Sequence, residues 1–177
     1  MSILKVARMG HPVLRRRARE VEKAELLQQS IQTFIDDMID TMREYHGVGL
    51  AAPQVHEGLR IFVAAISPAE EDPLPPDADP LVFVNPVITP QGHDVFEDWE
   101  GCLSIPDLRG RVPRPRAITV TALDRTGSRI EFPSADFPAR VIQHETDHLD
   151  GVLFLDRMRD LGTLSFLDEY QRYWTKD

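Results

Sequence analysis

The stretch Gln143-His144-Glu145-Thr146-Asp147-His148 sets two histidines four residues apart, with an acid directly after the first. On a helix of about 3.6 residues per turn those imidazoles share one face, so both can reach one cation. Glu145 then lies beside the first ligand, within reach of a water on that cation. Phe137, Val141, His144 and His148 keep helical spacing, and Asp150-Gly151 offers a stop. Pro138 is tolerable only in a first turn, so the helix should begin between Ser134 and Asp136. A surface helix with two solvated histidines would share this spacing, so residues elsewhere have to decide between the two.

Working outward, Ala24 to Tyr45 carries apolar residues at Leu27, Ile31, Phe34, Ile35, Met38, Ile39, Met42 and Tyr45. That stripe predicts one long amphipathic helix closed by Gly47. The next run, Gly47 to Gln54, is too rich in glycine and alanine to continue it. Arg60 to Ile66 reads as a strand, and the Pro-, Asp- and Glu-rich Ser67 to Pro80 as an exposed loop. Further strands are expected at Leu81 to Val84, Asp94 to Glu100 and Ala117 to Leu123. The last is followed by the turn Asp124 to Gly127 and a hairpin partner at Arg129 to Phe132. Val152 to Leu155 reads as a short strand and Leu161 to Trp174 as a C-terminal amphipathic helix. Strands in the middle and helices at both ends give an α+β fold: mostly antiparallel sheets around a central His-Glu-x-x-His helix.

Composition bounds the rest. With 177 residues the chain reads as a single domain over 1–177, able to bury about 70% of its unfolded surface. Hydrophobic content of 42% against 28% charged fits a globular protein and excludes a disordered one. No run reaches membrane-span length, and the N-terminal residues lack the apolar core of a signal peptide. They are Arg-rich and acid-poor like an organelle transit peptide, yet Gly10-His11-Pro12 reads as part of the mature fold, so a cytoplasmic home is favoured over organellar import. The single cysteine, Cys102, excludes an internal disulfide and suits a reducing compartment. A formal net charge of −9 argues against specific nucleic-acid binding. The local run Arg15-Arg16-Arg17-Ala18-Arg19 reads as a solvated loop.

Cys102 lies within Glu100-Gly101-Cys102-Leu103-Ser104, at the end of an expected strand. A lone cysteine is most often a small buried hydrophobe. Beside the paired histidines its thiolate would complete a one-sulfur, two-nitrogen set with a fourth position open for water. The segments Gly47 to Gln54, Glu100 to Ser104 and His144 to His148 together resemble the three signature motifs of the peptide deformylase family, in the same order and at comparable separations. The similarity extends through Ile3 to Val21 and from Pro86 to about Met158, which is most of the chain.

That resemblance implies removal of the N-terminal formyl group from formylmethionine of nascent polypeptides, releasing formate through a metal-bound water. It implies one divalent metal per chain, Fe2+ in the cell and replaceable by Zn2+, Ni2+ or Co2+, held by Cys102, His144 and His148. Glu145 matches the general acid/base, and Gln54 with the backbone amide of Leu103 matches the oxyanion donors. Around the substrate, Val48, Leu103 and Val141 are expected near the methionine pocket, and Gly47 and Gly49 are further expected substrate-binding positions. Glu100 and Arg109 resemble positions near the peptide backbone. Asp147 is expected to pair with Arg114 and brace the ligand helix. Thr146 stands where the family commonly has a hydrophobic residue. Transient ribosome contact is a further implied partner interaction. The basic tail that supports docking in some members is missing here, since Asp156 to Asp177 holds five acidic and four basic side chains.

Two other readings compete. A metallopeptidase on the same helix would need a third ligand downstream, where the chain has no histidine after His148 and only Asp and Glu could serve. A silent metal-binding or interaction protein would not need competent residues at every proton-transfer and metal position, and this chain has them.

Overall fold

A computed structural model describes residues 2–67 and 79–175, so the expected loop at Ser67 to Pro80 lies, but for its ends, outside the described residues. The first helical region differs from the single rod expected. It is a short α1 (Lys23–Leu26) and a long α2 (Gln29–Glu44), separated by extended backbone at Gln28. The break lets Leu26 enter the core while Leu27 faces solvent, after which Ile35, Met38 and Met42 continue the buried stripe.

Two antiparallel sheets follow. The larger runs in the order β1 (Gly49–Ala51), β2 (Ile61–Ala64), β3 (Leu81–Pro90), β6 (Ala117–Leu123), β7 (Arg129–Ala135). The smaller runs β4 (Val95–Cys102), β5 (Ile105–Pro115), β8 (Ser165–Phe166). Between them lies α3 (Asp136–Leu149), every residue of which from Ala139 onward is buried. β2 shows how the layers stack, because its side chains alternate. Ile61 and Val63 join the core under α2, while Phe62 and Ala64 join the core under α3. Phe62 stacks on Phe83 at 4.6 Å there, and burying such a ring contributes about 1.5–3 kcal/mol. A third apolar cluster, with Val112, Leu153 and Phe154, backs the smaller sheet near Cys102.

Several expected boundaries move. β3 continues past Val84 to Pro90 through a bulge at Asn85, whose φ of +51° suits asparagine. The Asn85 side chain there accepts from Val21 N at 2.9 Å and donates to Val21 O at 2.8 Å, tying the N-terminal arm down. The expected strand Val152 to Leu155 is instead a single helical turn, α4 (Phe154–Arg157), because Asp156 accepts from Leu153 N at 2.7 Å and closes it. The expected helix Leu161 to Trp174 begins with β8 and only then turns into α5 (Leu167–Tyr173). Residues 49–51 and 105–115 form strands that went unpredicted. The arginine run is solvent-facing but paired: Arg15 bonds Asp156, and Arg19 bonds Glu25 at 2.8 Å.

Candidate active site

Each element delivers one part of the site. α3 starts at Asp136 and holds Pro138 in its first turn, where the missing N–H has no helical partner to lose. Its register aims both histidines to one side, their rings 5.0 Å apart. β4 ends at Cys102, where a tight turn leads into β5 at Ile105. The thiol Sγ lies 3.2 Å from His148 Nε2. Ligand atoms of Cys102, His144 and His148 all fall within 4.8 Å of one another, and all three residues are buried.

A charged frame surrounds this cluster. His144 Nδ1 meets Glu100 Oε2 at 2.8 Å, which fixes the ring and leaves its other nitrogen facing the cysteine side. Glu100 is 6% exposed and is gripped by Arg114 at 2.8 and 3.0 Å and by Arg140 at 2.8 Å. Arg114 reaches on to Asp147 at 2.5 Å, and Arg157 closes the chain on Asp147 at 2.7 Å. The expected Asp147–Arg114 pair is therefore present. Glu100 lines the cavity that opens over this cluster, and its carboxylate is occupied by two arginines and a histidine, so it also holds His144.

Electrostatics follow from burial and neighbours. Burial alone would push the Cys102 thiol up, but the imidazoles of His148 and His144 outweigh it and hold it well below the usual thiol range. Burial would likewise lower His144, yet the Cys102 and Glu100 charges hold it well above the usual imidazole range. Glu100 is held down against its own desolvation by Arg114 and His144. Glu145 goes the other way, pushed up to about 7 by burial, with the two imidazoles only partly opposing. Its Oε2 is buried with no hydrogen-bond partner among the described residues. The carboxylate lies so close over Gly49 that a Cβ there would sit 2.7 Å from Glu145 Cδ, so position 49 has to be glycine.

Gln54 sits in a 3-10 turn, Ala52–Val55, that follows β1. Its Oε1 accepts from Ala51 N at 2.9 Å, so Nε2 turns toward the cluster, 3.2 Å from Ser104 Oγ and 3.5 Å from Cys102 Sγ. A cavity of about 850 Å³ opens over these groups and is lined by Gly47, Val48, Gly49, Gln54, Leu103, Arg109 and Val141. The guanidinium of Arg109 lies across Gly101, where any Cβ would overlap it. Further lining groups that sequence reasoning missed are Trp99, Phe137 and Leu167. Arg140 and Ser104 were missed as well. Arg140 stands one helical turn before His144, and a cation at that spacing was the available signal.

Chemically, a thiolate and two imidazoles form a donor set that suits a divalent transition cation with one position left open. The buried Glu145 oxygen beside that set fits the same group, since it finds no hydrogen-bond partner among the described residues.

The polypeptide deformylase family model matches residues 3–163. A relative from Nostoc sp., peptide deformylase 2, is 43% identical over 176 residues, covering 99% of this chain and 97% of the relative. Among solved structures, a class I type b peptide deformylase from Acinetobacter baumannii has 39% identity and a TM-score of 0.81, covering 89% of this chain and 100% of the other. The structure of that Acinetobacter protein bound to Met-Ala-Ser has 38% identity and a TM-score of 0.79 over the same shares.

Proposed function

The chain belongs to the polypeptide deformylase family, and on that premise we propose that it hydrolyses the formyl group from formylmethionine at the start of nascent polypeptides, using one divalent cation held by Cys102, His144 and His148. Fe2+ suits the thiolate–imidazole set, and Zn2+, Ni2+ or Co2+ can replace it. Such a cation supplies Lewis acidity and lowers the pKa of a water in its open position.

The chain's own residues do the rest. Glu145 takes a proton from the attacking water and later returns it to the departing amine, so water adds across the C–N bond and the products are formate and a free N-terminus. Its burial favours that exchange by bringing its carboxyl near neutrality. Gln54 Nε2 and the Leu103 amide meet the charge that grows on the formyl oxygen. Val48, Leu103 and Val141, with Gly47 and Gly49, receive the methionine side chain, and Arg109 anchors the peptide backbone. Glu100, Arg114 and Asp147 keep the ligands in place. We assign the work to the cytoplasm, on peptides emerging from the ribosome. Among the described residues no helix is long and apolar enough to cross a membrane.

One observation carries the proposal: a buried carboxylate oxygen with no hydrogen-bond partner among the described residues stands beside three metal-competent donors that lie within 4.8 Å of one another. The bound Met-Ala-Ser in the Acinetobacter relative supports a peptide beginning with methionine as the occupant. The test is formate release from formyl-Met peptides, with cleavage of unformylated peptides measured alongside. The unmodified protein should release formate only, and Glu145→Ala should retain metal and lose turnover. Peptide-bond cleavage, or full activity in the variant, would overturn the assignment.

A further inference from the structure

We propose that Arg157 is a positioning residue for the metal ligands: its guanidinium holds Asp147, which leaves Arg114 free to clamp Glu100, and the clamped Glu100 orients His144. This role rests on the metal-dependent deformylase reading above and deepens it. Arg157 ends α4, a single helical turn whose first residue is fixed in the core. That residue, Phe154, is 1% exposed, shares an apolar cluster with Cys102 and stacks on the His144 ring at 6.3 Å. The turn therefore meets the ligands directly at its start and through a relay at its end.

The relay is a division of donors. Asp147 is a buried carboxylate, so both of its oxygens need partners. Arg157 serves both: Nη2 donates to Oδ1 at 2.7 Å and Nε to Oδ2 at 3.2 Å. Arg114 adds only Nη1, to Oδ2 at 2.5 Å, and directs Nε and Nη2 to Glu100 at 2.8 and 3.0 Å. Without Arg157, Oδ1 loses its donor, and among the described residues Arg114 is the other cation paired with that carboxylate. Any second donor that Arg114 turns toward Asp147 is withdrawn from Glu100, whose Oε2 meets His144 Nδ1. A planar fork is needed at position 157, since a lysine brings the charge as a single point. The Arg157 side chain is 49% exposed against 8% for Asp147, so replacing it opens no hole in the core. Charge alone predicts the opposite sign: losing a cation near a cation site would tighten metal binding. Weaker binding is therefore the mark of positioning.

The experiment measures Co2+ affinity of the full chain by chelator competition, together with the thiolate and ligand-field absorption bands of the bound ion. Arg157→Gln should weaken affinity about tenfold, the low end for losing a partner behind the ligands, and shift the bands. Arg157→Lys should lose about threefold, because the charge stays and the fork goes. Asp147→Asn combined with Arg157→Gln should lose no more affinity than the worse single change, since both act through one relay. Thermal melts of the metal-free proteins report folding, and if Arg157→Gln does not fold, Arg157→Lys carries the test. Affinity that is unchanged or tightened in the folded Arg157 variants overturns the role, while formate release by the unmodified protein keeps the parent reading. No Co2+ uptake by the unmodified protein overturns both.

Discussion

The floor and the rim of the groove are built on opposite terms. On the floor Cys102, Glu100, Arg114, Glu145, His144 and His148 are all buried, and His148 is 1% exposed. Glu100, Arg114 and His144 are oriented by charge-assisted hydrogen bonds between β4, β5 and α3. On the rim Val48 is 39% and Phe137 51% exposed, and Trp99 is held by ring contacts with Tyr170 and Trp174. The floor has one reaction to perform and needs fixed protonation states. In the proposed reaction the rim would meet whatever sequence follows the methionine and would need only adaptable surface. A buried ion network also makes the floor brittle, because removing one partner leaves an uncompensated charge at about 3–5 kcal/mol.

That contrast can be broken in stages. The largest effect is expected from Gln54→Ala, which should lower kcat by about 10²–10³-fold with metal content unchanged, read by steady-state kinetics and elemental analysis. An unaltered kcat would take Gln54 out of the chemistry. Next comes Glu145→Gln in the metal-free protein. The folded carboxyl sits at about 7 against an ordinary 4.5, so its ionised form is disfavoured by folding. The resulting penalty is absent below 4.5, grows as pH rises, and is complete above 7. Urea melts at pH 8 should therefore show the variant more stable by roughly 3 kcal/mol, with little difference at pH 4.5. Equal stability at both pH values would mean that the carboxylate is not strained by burial. A smaller change is expected from Glu100→Gln, which should weaken metal affinity about 10–100-fold in chelator competition. The smallest belongs to the rim, where Phe137→Ala should raise KM by about threefold and shift kcat less. A kcat collapse there would erase the distinction between floor and rim.

Legibility in the sequence followed the same divide. The ligand helix announces itself through His144, His148 and Pro138, and it begins at Asp136 within the expected range. β6 matches its expected span because Ala117 to Leu123 alternates and ends at an Asp-Gly-containing turn. β5 was hidden by Pro106, Pro113 and Pro115, which normally argue against a strand. They are tolerated because β8 covers only Leu108 and Arg109, so one side of β5 has no strand partner at the prolines. The helix break at Leu27-Gln28 and the turn at Phe154 were hidden for a different reason. Both depend on which neighbour offers a core, and no local pattern records that. The frame around the ligands was half visible: Asp147–Arg114 could be anticipated, whereas the grip of Arg140 on Glu100 needs the two sheets brought together.

The cysteine and the second histidine are 46 positions apart, one on a hairpin and the other on a helix. Neither unit alone carries all three donors, so the complete set exists only after helix and hairpin have docked. Such a long-range closure is a late and slow event in chain assembly. Metal uptake by a refolding chain should accordingly lag behind helix formation and keep time with tertiary docking, which turns the cation into a clock for the last step of maturation.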